Sequence, residues 1–80
     1  MRRDLSDEEK RKLKHFGRLI LSLSGQQKKS LERIAYEAGL SKSYYYDLVK
    51  GRGNPSLIVL LKLADILATP LWKIFKEMKA

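Results

Sequence analysis

The side chains best equipped for chemistry cluster in the segment SKSYYYDLVK, Ser41–Lys50, which has the length of a short helix. If Tyr45 and Leu48 turn inward, helical spacing leaves a common outer face that carries Lys42, Ser43, Tyr46, Asp47 and Lys50. Their ammonium, hydroxyl and carboxylate groups can hydrogen-bond to base edges, and a helix of this size fits the major groove of DNA. The outer face of this segment is therefore a candidate for contacts with base edges.

Other reactive residue types do not combine into a site. His15 is the only histidine, and it has neither further ligands nor a nucleophile nearby in the sequence, so we expect it on the solvated surface. The acids Asp7, Glu8 and Glu9 fit the first turn of a helix better than a catalytic carboxylate pair. With no cysteine in the chain, thiolate metal sites are excluded. The sequence predicts no enzyme, no metal and no cofactor.

Composition points to an anionic partner. The 80 residues suffice for one domain, and 17 Lys and Arg against 9 Asp and Glu give a net charge of +8. Such a surface attracts polyanions, with nucleic acid the first choice and an anionic membrane the second. The start MRRDLSDEEKRK lacks the apolar stretch of a secretory signal, so we expect a cytoplasmic protein.

The elements that would position the outer face begin with a long first helix. Residues 1–5 are predicted to be a flexible basic arm, and residues 6–80 a single domain. Ser6 and Glu9 have the spacing of a capping box, which starts helix 1. An apolar stripe follows at helical spacing, and Gly25 is predicted to mark the exit; the stripe consists of Leu13, Phe16, Ile20 and Leu23.

Two short helices and a tight turn occupy residues 30–51. Ser30 is the expected N-cap of helix 2, which runs to about Ala38 with Leu31, Ile34, Ala35 and Ala38 inside. Gly39 suits a left-handed turn, and Ser41 is the expected N-cap of helix 3, which ends at Gly51.

The remainder predicts two more helices. The loop GRGNPS precedes LIVLLKLADIL, whose apolar residues surround most of the helix, so we expect helix 4 to be the most buried. Thr69 and Pro70 are the expected N-cap and first residue of helix 5, with Leu71, Ile74, Phe75 and Met78 on its inner face. The predicted fold is all-α, with five helices.

Residues 16–75 resemble the Cro and phage-repressor type of helix-turn-helix proteins, also called the XRE family. The pieces that carry the resemblance are FGRLI, SLERIAYEAGLSKSYY, GRGNPSL, LLKLADIL and PLWKIF. The resemblance implies a compact, lambda-repressor-like DNA-binding domain, here with an extended helix 1. It further implies a transcriptional regulator, usually a repressor, that binds a palindromic operator as a dimer.

The resemblance assigns roles to residues of this chain. Lys42, Ser43 and Asp47 match base-reading positions, and Tyr46 shares their face; Lys42 suits guanine O6 and N7, and Asp47 suits cytosine N4. Positions that contact the DNA backbone are matched by Arg52 and Asn54, and the start of helix 2 and end of helix 3 add Lys28, Lys29, Ser30 and Lys50.

Two departures from the family pattern concern the frame of the motif. Many members begin helix 2 with a glutamine that buttresses the DNA contact, where this chain has Leu31. Many also pair an arginine of helix 1 with a glutamate of helix 3, at positions held here by Ser24 and Val49. Because both partners are absent together, no lone buried charge remains.

Helix 5 supplies the expected contact between two copies. Trp72 lies off the apolar stripe of this helix, and an exposed large aromatic marks an interface. We expect a homodimer contact that includes Trp72 and Lys76.

Alternatives remain open at this point. Phage regulators, antitoxins and restriction-modification controllers all share this domain. Asp47 on the reading face and Leu31 in place of glutamine favour a protein-interaction module, such as an antitoxin that binds a toxin. Membrane binding by helix 1 ranks last, because the core needs its apolar stripe.

Overall fold

Serine side chains start four of the five helices in the computed structural model, which describes residues 4–78. The hydroxyl oxygens of Ser6, Ser30, Ser41 and Ser56 each accept a backbone N–H of the first turn, which would otherwise lack a partner. The helices are α1 (Asp7–Gln26), α2 (Leu31–Glu37), α3 (Lys42–Val49), α4 (Leu57–Ile66) and α5 (Leu71–Met78). The all-α fold and the order of its helices are confirmed. Most of the predicted arm, 1–5, lies outside the described residues.

The beginning of α1 has the expected capping box. The Glu9 N–H donates to the Ser6 hydroxyl at 3.1 Å, and the Ser6 N–H donates to the Glu9 carboxylate at 2.8 Å. Both bonds satisfy backbone donors locally, so the start of this helix follows from four consecutive residues.

The end of α1 differs from the expectation. Gly25 lies inside the helix, and the left-handed backbone falls at Lys28, with φ 57°. The side-chain amide of Gln27 donates to the Leu67 carbonyl oxygen at 3.2 Å, which ties this end of α1 to the end of α4. The chain therefore turns at Lys28 and not at the glycine.

The core forms around α1, and the prediction that helix 4 is the most buried is wrong. Helix α1 packs against α2, α3 and α5, and contributes Phe16 and Ile20 to the centre. Helix α4 turns Leu63 and Leu67 inward but leaves three large apolar side chains in solvent, with exposed fractions of 63% for Leu57, 60% for Ile58 and 48% for Leu61. An all-apolar pattern does not distinguish core contacts from an apolar surface.

Helix α5 also differs from its predicted inner face. Ile74 is buried and Leu71 and Met78 are half-buried, but Phe75 is 47% exposed. The helix begins at Leu71, and the Thr69 hydroxyl donates to the Leu67 carbonyl oxygen at 3.0 Å instead of capping α5 as predicted. The outer side of α5 is therefore more apolar than the sequence pattern indicated.

Between Asp4 and Met78, none of the helices has both the length and the apolar character needed to cross a membrane.

Candidate nucleic-acid interface

The turn between α2 and α3 fixes the angle between the two helices. Gly39 has φ 72°, a left-handed conformation in which a Cβ would be strained, and the Leu40 N–H donates to the Ala35 carbonyl oxygen at 2.8 Å. Ser41 then caps α3 at once by accepting from the Tyr44 N–H at 3.1 Å. Helix α3 therefore leaves the turn in a fixed direction relative to α2.

The inner side of α3 is anchored from behind. Tyr45 and Leu48 are completely buried, as predicted, while Tyr44 is half-buried. Gly17 of α1 lies directly beneath the end of α3, so that a Cβ there would come 2.6 Å from the Leu48 carbonyl oxygen and still closer to that of Val49. Only a glycine allows α1 and α3 to approach this closely.

A buried hydrogen bond joins Ser24 of α1 to Tyr45 of α3. Ser24 is buried, and its hydroxyl lies 2.7 Å from the Tyr45 hydroxyl and 2.7 Å from the Ile20 carbonyl oxygen. Because the carbonyl only accepts, Ser24 donates to Ile20 and the Tyr45 O–H donates to Ser24. Burial raises the pKa of the Tyr45 phenol, so the neutral donor is the form that the folded protein keeps.

This direction of donation predicts an unequal pair of single substitutions. Ser24→Ala leaves the buried Tyr45 O–H without an acceptor and is expected to cost about 1–3 kcal/mol of unfolding free energy. Tyr45→Phe leaves Ser24 bonded to Ile20 and is expected to cost less, and it should recover part of the loss when combined with Ser24→Ala. Urea denaturation followed by circular dichroism measures all three variants.

The exposed Ser22 on the same helix provides the control, since Ser22→Ala should leave stability within about 0.5 kcal/mol of the parent. Equal costs for Ser24→Ala and Ser22→Ala would contradict the assigned bond.

The outer face of α3 holds the predicted base-reading residues. Lys42 and Ser43 are exposed, and Tyr46 and Asp47 are half-buried. The Lys42 ammonium lies 5.7 Å from the centre of the Tyr46 ring, which brings these two side chains together. The face is therefore accessible to a ligand, and two of its side chains, Lys42 and Tyr46, lie close to each other.

Ion pairs that the sequence analysis missed hold two of these residues. The Lys42 Nζ lies 3.3 Å from a carboxylate oxygen of Glu32 on α2, and the Arg52 guanidinium lies 3.7 Å from the Asp47 carboxylate. The Arg52 N–H also donates to the Asp47 carbonyl oxygen at 2.8 Å, which attaches the following loop to the end of α3. The contact between Glu32 and Lys42 crosses two helices, and no spacing rule within one helix reveals it.

The predicted backbone-contact residues differ in how free their charges are. Lys28 and Lys50 are exposed, with no ion pair to any of residues 4–78, and Asn54 is exposed in the loop. Ser30 already accepts from the Arg33 N–H at 3.1 Å as the cap of α2. The positions assigned to DNA contact remain predictions, and the structure favours Lys28 and Lys50 as the cations that are ready to bind a phosphate.

Lys29 is committed elsewhere. Its ammonium lies 2.8 Å from Glu37 at the far end of α2, and Arg33 binds the other oxygen of the same carboxylate at 2.7 Å. The hydrogen bonds from Lys29 and then from Arg33 lower the pKa of the Glu37 carboxyl, which keeps this acid ionised. Lys29 must leave this pair before it can reach a phosphate.

The extended helix α1 supports the loop that follows α3. Lys14 lies directly against the backbone of Gly51, and Leu13 and Phe16 share a shallow groove with Asn54. His15, expected on the solvated surface, is half-buried. The first half of α1 therefore helps to hold the segment that carries Arg52 and Asn54.

A second exposed surface lies on α4 and α5, which pack on each other. Trp72 is 64% exposed, as expected from its position off the apolar stripe, and Lys76 is exposed one turn later. Five exposed apolar side chains of these two helices are together called the α4–α5 surface: Leu57, Ile58, Leu61, Trp72 and Phe75. Their exposure makes the two helices a candidate for an interaction site.

Comparison with known families decides the identity of the motif. A family model described as helix-turn-helix matches residues 25–71, which include α2, the turn, α3 and α4. The chain belongs to the helix-turn-helix family. The resemblance seen in the sequence is confirmed, and the protein is of the DNA-binding transcriptional regulator class.

Solved structures agree with this helix-turn-helix assignment. The restriction-modification controller protein C.AhdI from Aeromonas hydrophila is 33% identical, with a TM-score of 0.75 over 79% of this chain and 96% of its own. The clp gene regulator ClgR from C. glutamicum is 19% identical, with a TM-score of 0.77 over 84% of this chain and 87% of its own, and shows the shared fold. A search of curated protein sequences found no match.

Proposed function

We propose that this helix-turn-helix protein is a cytoplasmic repressor that binds a palindromic operator as a homodimer, with α3 in the major groove. The observation that carries the proposal is the division of α3 into a buried side, Tyr45 and Leu48, and an open side that carries Lys42, Ser43, Tyr46 and Asp47. Base edges are read from the open side, while Lys28 and Lys50, which form no ion pair within residues 4–78, bind phosphates of the DNA backbone.

The α4–α5 surface supports the proposed dimer. A two-fold interface uses the same patch on both subunits, and the exposed rings of Trp72 and Phe75 supply aromatic anchors that such an interface buries. Two recognition helices then read two half-sites of opposite orientation. Occupancy of the operator blocks transcription without any catalytic step.

The type of regulator is supported by the likeness to C.AhdI. At 33% identity, this similarity favours a restriction-modification controller among the regulators that share the domain. The α4–α5 surface also fits a second candidate function, an antitoxin-like module that covers these apolar side chains with a different protein such as a toxin. A chain that stays monomeric at all concentrations would favour this second candidate.

Selection of binding sites from random duplex DNA tests the proposed function. The protein is expected to enrich a palindrome, and Lys42→Ala should relax the preference at one base pair of each half-site, with a loss of about 1–3 kcal/mol there. Lys50→Ala should weaken binding to all sequences alike and reduce the salt slope by about one unit, because it removes one phosphate contact. Lys50→Ala tests a phosphate contact better than Arg52→Ala does, because the removal of Arg52 would also leave Asp47 without its ion-pair partner.

Lys62→Ala is the matched control, since it removes an exposed positive charge from α4, outside the proposed contact surface. Its affinity should stay within about twofold of the parent for every sequence. A selection that enriches no sequence, or a Lys62→Ala loss equal to that of Lys50→Ala, would overturn the assignment of the surface.

A further inference from the structure

An acidic side chain stands within the proposed DNA-facing surface. Glu32 lies in the first turn of α2, and its carboxylate oxygen is 3.3 Å from the Lys42 Nζ. Both side chains are more than half exposed, at 63% for Glu32 and 57% for Lys42. Arg33, the residue after Glu32 on α2, is bound to Glu37 at 2.7 Å, so Lys42 of α3 is the ion-pair partner of Glu32.

An exposed ion pair of this kind contributes little to folding. We expect a larger effect on DNA binding, because the ion pair limits which groups of the DNA can approach the Lys42 ammonium. A lysine ammonium has three N–H donors, and the Glu32 carboxylate lies 3.3 Å from that of Lys42 as an ion-pair partner. The donors that point away from Glu32 remain available to neutral acceptors such as guanine O6 and N7, whereas a phosphate brought to the same ammonium would meet the negative charge of Glu32.

We propose that Glu32 is a positioning residue that directs Lys42 towards a base edge and denies it to the phosphate backbone. The Tyr46 ring, whose centre lies 5.7 Å from the ammonium, is a second neighbour that limits the positions of Lys42. Glu32 therefore lowers the affinity for DNA of any sequence and raises the discrimination at the base pair that Lys42 reads. The inference rests on the proposed function, because it places α3 in the major groove.

The substitution Glu32→Gln tests this role, with binding to a random duplex and to the selected operator measured over a range of salt concentrations. Random-duplex affinity is expected to rise about fivefold, and its salt slope to steepen by about 0.9, since Lys42 then binds one more phosphate. Discrimination at the base pair read by Lys42 should fall about fivefold. In a Lys42→Ala background, Glu32→Gln should change none of these quantities by more than about twofold.

Asp65→Asn provides the control, because it removes one exposed negative charge from α4. An equal gain in affinity for Asp65→Asn, or a gain for Glu32→Gln that persists without Lys42, would show a general charge effect and overturn the inference. A different outcome is a gain in random-duplex affinity that requires Lys42, together with no operator enriched by the parent protein. That outcome would support the effect of Glu32 on Lys42 and reject sequence-specific regulation. If neither the parent nor Glu32→Gln binds any duplex, both proposals fail.

Discussion

Replacing Gly17 by alanine is expected to lower the free energy of unfolding by about 3 kcal/mol, at the upper end of the cost of overpacking. The new Cβ would lie 2.6 Å from the Leu48 carbonyl oxygen and closer still to that of Val49. Both obstacles are backbone atoms at the end of α3, so no side-chain rotation relieves the contact. Since a native domain is stable by only roughly 5–15 kcal/mol, much of the total is at stake.

Gly25→Ala is the matched control on the same helix. A Cβ at Gly25 meets no atom within 4 Å, and the better helix propensity of alanine should leave the protein unchanged or more stable by up to about 1 kcal/mol. Urea denaturation followed by circular dichroism compares the two variants. Equal changes at both positions would mean that the close approach of α1 and α3 does not exist in solution.

Assembly is the second property for which we expect a large effect. Trp72→Ala removes a side chain that is 64% exposed in the monomer, so folding should be nearly unaffected while the proposed dimer loses its largest anchor. A monomer binds one half-site at a time, and the affinity for the full palindrome is then expected to fall by about 100-fold or more. Sedimentation equilibrium and operator titration measure the two effects separately.

Tyr36→Ala supplies the comparison, because Tyr36 is an aromatic residue on α2 with 76% exposure that lies outside the α4–α5 surface. Its removal should leave the balance of monomer and dimer unchanged. A Trp72→Ala protein that still dimerises like its parent would reject the interface. A parent that is monomeric throughout would reject the homodimer and favour a different protein partner.

The helix boundaries were largely predictable from the sequence because most of them depend on local chemistry. Ser6, Ser30 and Ser41 each bond to a backbone N–H three residues later, and such spacing is visible in the sequence. The same holds for Gly39, where one residue type suits the backbone conformation.

Contacts between distant residues were less accessible. The partner of Ser24 lies 21 positions along the chain, and the pair between Glu32 and Lys42 depends on the angle between two helices. The exposure of Phe75 was missed because periodicity identifies an apolar face without saying which of its edges another helix covers. The exposure of Trp72 was predicted correctly because this residue stands apart from that face.

At Lys28, the stability of the fold and the affinity for DNA favour different residues. Its φ of 57° is one that an L-amino acid adopts at a cost of about 1–2 kcal/mol, and a glycine there would make the fold more stable. The same exchange would discard a cation from the start of α2, where a phosphate is proposed to sit. Ala68 shares the conformation, with φ 54°, but has no charge to lose. Ala68→Gly would therefore stabilise the turn after α4 without the loss of a charge, whereas Lys28→Gly would stabilise the turn before α2 at the expense of a proposed phosphate contact.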